Sequence, residues 1–197
     1  MSMDKREITA FFDRLAPTWD EDLVRNEEVI RIILDNAQIA PGKRVLDVAC
    51  GTGVLIPDYL RRDVASVRAI DLSPEMIRRA EAKFTDPRVR FVCGDVEETD
   101  FPERFDCIVV YNAFPHFPEP RRLIHRLSGL LVPGGTLTVA HGASREQIDR
   151  HHHGSAQAVS MGLMESDALA AIFAETLRVT VNRSDERMYQ VCGVRAD

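Results

Sequence analysis

Arg44 to Gly53 reads as an apolar run with an acid at Asp47, followed by a turn carrying Ala49, Gly51 and Gly53. Asp71 closes a second apolar run eighteen residues after Gly53, and Asp95 follows a third in Cys93-Gly94-Asp95-Val96. Glycines let the backbone turn tightly and bring its N–H groups close to a ligand. A carboxylate at the end of the next strand is placed to accept from ribose hydroxyls. These residues point to an adenosine-containing cofactor. A dinucleotide turn needs a third small residue, and Gly51-Thr52-Gly53-Val54-Leu55-Ile56 places a bulky isoleucine there. That weighs against an NAD-dependent dehydrogenase.

The elements that must position these residues follow from periodicity. Strands are predicted near 44–48, 67–71, 89–93, 105–111 and 135–141, alternating with amphipathic stretches, the pattern of an α/β fold with a mostly parallel sheet. Helices are expected from Asn26 to Ile39, ended by Pro41-Gly42; after the Ser73-Pro74-Glu75 cap; and after Glu119-Pro120, ended by Pro133-Gly134-Gly135. Ser144-x-x-Gln147 resembles a capping box, and Ser166-Asp167 is read as a cap. Leu177 to Val181 and Met188 to Val194 read as strands about a polar turn at 182–186, an antiparallel hairpin closing the sheet.

A chain of 197 residues suits one domain that binds both cofactor and substrate. Its expected parts are a helical cover over 1–40, a cofactor-binding core over 41–141, an acceptor-side lid over 142–165, and a helix with the closing hairpin over 166–197. The net charge of −6 argues against a nucleic-acid partner and favours a small-molecule acceptor. With no apolar segment of spanning length or signal type, no membrane partner is expected and a cytoplasmic location is. Cys50, Cys93, Cys107 and Cys192 read as reduced core residues.

Val45-Leu46-Asp47-Val48-Ala49-Cys50-Gly51-Thr52-Gly53 is similar to the first motif of the class I S-adenosylmethionine-dependent methyltransferases, particularly their small type 11 group. The resemblance runs from about Asn26 to the C-terminus and departs from the pattern at Ala49, where the family usually has glycine. It implies a Rossmann-like, mostly parallel seven-stranded sheet with helices on both faces and S-adenosyl-L-methionine as cofactor. By that resemblance Asp47 and Ala49 belong to the first motif, Gly51 and Gly53 border the methionine and sugar, and Asp71 holds the ribose diol. Leu72 lies against adenine, Asp95 and Val96 hold its edge and face, and Asn112 lies beside the methionine. Phe11 to Asp20 is similar to the leader of many small-molecule methyltransferases, so Trp19 is expected either to enclose the acceptor or to pack under a helix.

Methyl transfer from a sulfonium needs alignment and exclusion of water, and a base only where the acceptor must lose a proton. All six histidines lie at or after residue 116. His116 follows the fourth strand and either serves the acceptor or shapes its loop. His141 ends the fifth strand on the sheet edge that carries the cofactor motifs, and His151 and His152 lie near the end of the next helix. His116, His141 and His151 are therefore the catalytic candidates and His152 a substrate-side one, with a solvated helix end as the alternative for the later pair. A metal held by these imidazoles with Glu146 or Asp149 is disfavoured, because none of them shows i, i+4 spacing. A protein that binds the cofactor or a nucleoside without turnover is the other functional class compatible with these residues.

Overall fold

A computed structural model describes residues 4–21, 23–152 and 159–196, with the backbone alone considered at 150–152. Seven strands form one sheet in the order β3-β2-β1-β4-β5-β7-β6. They are β1 (Arg44–Val48), β2 (Ser66–Asp71), β3 (Val89–Cys93), β4 (Phe105–Tyr111), β5 (Leu131–His141), β6 (Arg178–Ser184) and β7 (Tyr189–Val194). Neighbours from β3 through β5 pair in parallel, and β7 runs antiparallel to both β5 and β6. The order reverses between β1 and β4, so the loops leaving the C-terminal ends of those strands diverge and open a crevice.

The helices are α1 (Lys5–Leu15), α2 (Glu27–Asn36), α3 (Ile56–Arg61), α4 (Pro74–Lys83), α5 (Pro120–Gly129), α6 (Arg145–His152) and α7 (Ser166–Phe173). One face of the sheet packs Leu46, Ile108, Leu137 and Val139 against Leu123 and Leu127 of α5 and Phe173 of α7. The other packs Val45, Val67 and Val109 against Ile30, Ile33 and Leu34 of α2, with Tyr59 of α3 and Ile77 of α4. Burying each such aliphatic side chain is worth about 1.5–3 kcal/mol, so these two layers fix the strand ends on which the crevice depends.

Several expected boundaries move. Helix α5 ends at Gly129, and Pro133-Gly134-Gly135 lies inside β5, where the pairing with β4 shifts register between Phe105 and Cys107. A bulge can hold the proline and glycines that elsewhere would stop a helix. Helix α2 ends at Asn36, before Gln38 enters the left-handed region at φ +58°. Strand β6 continues through Asn182, Arg183 and Ser184, expected as turn, because an edge strand can point polar side chains at solvent. The turn itself is short, with Asp185 Oδ1 accepting from the N–H groups of Arg187 (2.8 Å) and Met188 (3.0 Å). Glu165, not Ser166, stands at the cap of α7, without a side-chain cap bond. Cys93 is exposed on edge strand β3, whereas Cys50, Cys107 and Cys192 are buried. The Ser73 cap is present, its Oγ accepting from Met76 N–H at 3.1 Å, and Ser144 and Gln147 form the reciprocal capping box of α6.

Candidate active site

The turn after β1 places Ala49, Gly51 and Gly53 in the left-handed region, at φ +54°, +53° and +86°. Of these only Ala49 carries a Cβ, which strains that conformation by about 1–2 kcal/mol. A Cβ on Gly51 would project into the crevice, meeting only Trp19 Nε1 at 3.8 Å, whereas one on Gly53 would collide with the Phe84 ring at 2.8 Å. The two glycines thus serve different needs. Gly51 keeps the ligand-facing side of the turn open, and Gly53 lets Phe84 pack behind it.

Asp71 ends β2 and faces this turn. Its Oδ2 accepts from Gly51 N–H at 2.8 Å and its Oδ1 from Ser73 N–H at 2.9 Å. Burial raises its pKa, and those two N–H groups oppose the rise. A carboxylate has about four acceptor positions, so two remain for a vicinal diol. Asp95 accepts from Glu97 N–H at 2.9 Å and pairs with the Lys5 ammonium, which also reaches Glu97 at 2.9 Å. Asn112, at φ +54°, accepts on Oδ1 from Gly142 N–H at 2.9 Å, tying the end of β4 to the loop after β5. Beside it Tyr111 is buried, which raises its pKa to about 12, and its hydroxyl occupies the space that a Cβ on Gly142 would need. Only glycine fits there.

A cavity of about 350 Å³ collects these groups. It is lined by Ala49, Gly51, Asp71, Leu72, Asp95, Val96 and Asn112 together with Trp19 and His116, so nine residues expected from distant parts of the sequence converge. Asp47 and Gly53 are not among its lining residues. Asp47 lies beneath the turn, its carboxyl pushed up to about 8 by burial, which the Tyr59 hydroxyl opposes and the Asp71 charge reinforces.

Helix α1 and the turn after it roof the cavity with Ile8, Phe11, Phe12, Leu15 and Trp19. Polar ties hold this roof down. Asp13 Oδ1 accepts from Ser73 Oγ (2.5 Å) and Glu75 N–H (3.3 Å), and Asp20 accepts from Thr52 Oγ1 (2.5 Å) and Lys83 Nζ (2.8 Å). The Phe12 ring stands edge-on to both Trp19 and His116, with centroids 5.8 and 4.9 Å apart. Sequence reasoning passed over Lys5, Phe12, Glu97 and Tyr111. The amphipathic spacing of Ile8, Phe11, Phe12 and Leu15 was the available signal.

Of the histidines, His116 alone lines the cavity among the described residues. His116 sits in a short 3-10 turn, Phe114–His116, and its Nδ1 lies 2.6 Å from the Val159 carbonyl oxygen. His141, 2% exposed, packs edge-on to Tyr189 at 5.9 Å and does not line the cavity. His151 and His152 lie on α6, but their side chains fall outside the described residues, and His153 does so entirely. His125 bonds Glu175 at 2.8 Å on the surface. No group of three potential metal-ligating side chains is found among the described residues, nor any helix long and apolar enough to cross a membrane.

Residues 45–135 match a family described as a methyltransferase domain. An uncharacterized methyltransferase of Mycobacterium tuberculosis is 38% identical over 96 residues, 48% of each chain. Demethylmenaquinone methyltransferase of Renibacterium salmoninarum is 31% identical over 147 residues, covering 71% of this chain and 61% of its own. The chain thus spans about half to three fifths of the length of these relatives. The N-methyltransferase NodS of Bradyrhizobium japonicum, solved with S-adenosyl-L-homocysteine, superposes with a TM-score of 0.72 at 17% identity, over 96% of this chain and 98% of its own.

Proposed function

For a chain that belongs to the class I S-adenosylmethionine-dependent methyltransferases, we propose transfer of a methyl group to a neutral small-molecule acceptor, assisted by His116. The observation that carries this reading is the single cavity joining the Gly51 turn, Asp71, Asp95 and Asn112 to the Phe12–Trp19–His116 cluster. S-adenosylmethionine, when bound, supplies a methyl group made electrophilic by its sulfonium. Asp71 would hold the ribose diol, Asp95 and Val96 the adenine, and Asn112 with the turn at Ala49 and Gly51 the methionine end. The open side of Gly51 and the spare acceptor positions on Asp71 fit that group.

The remaining lining residues define the acceptor. The charged side chains lining the cavity are Lys5, Asp71, Asp95 and Glu97; Lys5 pairs with Asp95 and Glu97, and Asp71 is held by main-chain N–H groups. Around His116 the lining residues among those described are Phe12, Phe117 and Pro118, none of them a cation. Desolvating an anionic acceptor against these apolar side chains would cost several kcal/mol, so a neutral, apolar or aromatic acceptor is favoured.

A carbonyl oxygen only accepts, so His116 Nδ1 carries the hydrogen in its bond to Val159, and in the neutral ring Nε2 is the basic nitrogen. His116 would take the proton that a hydroxyl or amine acceptor loses as its lone pair forms the new bond to the methyl carbon and the methyl–sulfur bond breaks, its electron pair staying on sulfur. The roof of α1 and Trp19 would keep water from competing.

Trp19 is the only tryptophan in the chain, so its emission reports on the roof directly. Titration with S-adenosylhomocysteine should change that emission and release heat in a calorimeter. Radiolabelled methyl transfer should then appear with phenolic or other neutral acceptors and not with carboxylates. Absence of binding sinks the reading, and binding without turnover across such a panel would favour a cofactor-binding protein.

A further inference from the structure

We propose that Asp149, with Arg145, is a positioning residue that holds His116 in its Nδ1-protonated tautomer by fixing the loop 159–164. The proposal rests on the reading of His116 as the group that serves the acceptor. Arg145 and Asp149 stand one turn apart on α6, on the same face, and grip one residue from both sides. Asp149 Oδ1 accepts from Leu163 N–H at 3.0 Å, and Arg145 Nε donates to the Leu163 carbonyl at 2.9 Å. Leu163 itself is buried within the apolar cluster on one face of the sheet. Both main-chain groups of this residue are thus held by side chains, and the start of α6 is in turn fixed by the Ser144–Gln147 capping box.

From that anchor the chain turns back through Gly162, at φ +75°, toward the 3-10 turn that carries His116. Two bonds join the segments. Met161 N–H donates to the Pro115 carbonyl at 2.9 Å, and the Val159 carbonyl accepts from His116 Nδ1 at 2.6 Å. Histidine in water samples both neutral tautomers, so a single populated form requires a fixed partner at one ring nitrogen. Here that partner is a main-chain oxygen whose place depends on a loop, and the loop is gripped at Leu163. Loosening the grip moves the oxygen and frees the tautomer of His116, although neither Asp149 nor Arg145 lines the cofactor cavity.

Long-range proton–nitrogen correlation spectra of the 15N-labelled protein saturated with S-adenosylhomocysteine test this directly, His116 being assigned by the signals lost in His116→Gln. In the unaltered chain Nδ1 should resonate as a protonated ring nitrogen and Nε2 as an unprotonated one. Asp149→Ala should bring the two shifts toward each other, with the Nδ1-protonated share falling by about half. Asp149→Asn should restore the separation, because its amide oxygen still accepts from Leu163 N–H. Calorimetric affinity for S-adenosylhomocysteine should stay within about twofold in both, since neither lines that site. An unchanged His116 spectrum in Asp149→Ala, or in Arg145→Met should Asp149→Ala fail to fold, overturns the proposal, as does an Asp149→Asn spectrum matching that of Asp149→Ala. Turnover that survives His116→Ala would instead defeat the base reading and leave the tautomer result standing.

Discussion

The two ends of the cavity are built by different means. At the Asp71 end the lining is built mainly from the turn at Ala49 and Gly51 and from Asp71 and Asp95 at the ends of neighbouring parallel strands, within residues 49–96. At the His116 end the lining comes from α1 and the turn after β4, segments far apart in the chain, with the Val159 carbonyl bonded to the His116 ring. The first end is held by the strand ladder itself. The second depends on side chains meeting across the fold, so its chemistry is more easily altered by single substitutions.

The sharpest way to separate the ends is His116→Ala. Removing a group that takes a proton in the transition state costs about 10²–10⁴ in rate. Methyl transfer should fall by about a hundredfold or more, while the calorimetric Kd for S-adenosylhomocysteine stays within about threefold. Asp71→Ala inverts that pattern. Losing charge-assisted bonds to a diol is worth about 1.5–3 kcal/mol, so affinity should weaken about tenfold to a hundredfold. Equal effects of the two substitutions on binding would erase the distinction drawn here.

Beneath the Asp71 end, burial holds the Asp47 carboxyl protonated up to about pH 8, against an ordinary carboxylate value near 3.8. A raised acid pKa means that the folded chain binds more protons than the unfolded one between those values. The contribution of this group to stability therefore falls as pH rises from about 4 to 8. Asp47→Asn should gain melting temperature relative to the unaltered chain across that range, by about 5 °C or more at pH 8 compared with pH 5. A pH-independent difference would show that Asp47 is ionised in the fold. The smallest effect is expected at Ala49. Glycine at φ +54° relieves the Cβ strain, so Ala49→Gly should raise the melting temperature by a few degrees, from about 1 kcal/mol, with binding little changed.

Much of this architecture was legible because it is local. The strand runs ending at Val48, Asp71, Cys93 and Tyr111 lie within a residue of where periodicity places them, and the Ser73 and Ser144 caps are formed as their spacing predicts. Boundaries failed where pairing outweighed local preference, as at the bulge holding Pro133 to Gly135 and in edge strand β6. His141 shows the same limit within the site. Its place at the end of β5 suggested the cavity, but its ring packs edge-on to Tyr189 and it is not among the lining residues. Side-chain direction at a strand end depends on the neighbouring strand, which no local pattern records.

By itself the sequence determined the α/β order, the left-handed glycine turn, the acids at the strand ends and hence the expectation of an adenosine-containing cofactor. Those features are set by backbone geometry within a few residues. Only the tertiary structure decided that Lys5 meets Asp95, that Phe12 joins Trp19 to His116, and that the Val159 carbonyl selects the His116 tautomer. Such contacts join segments distant in the chain, and their positions are fixed by how α1 and α6 pack, a property of the whole fold.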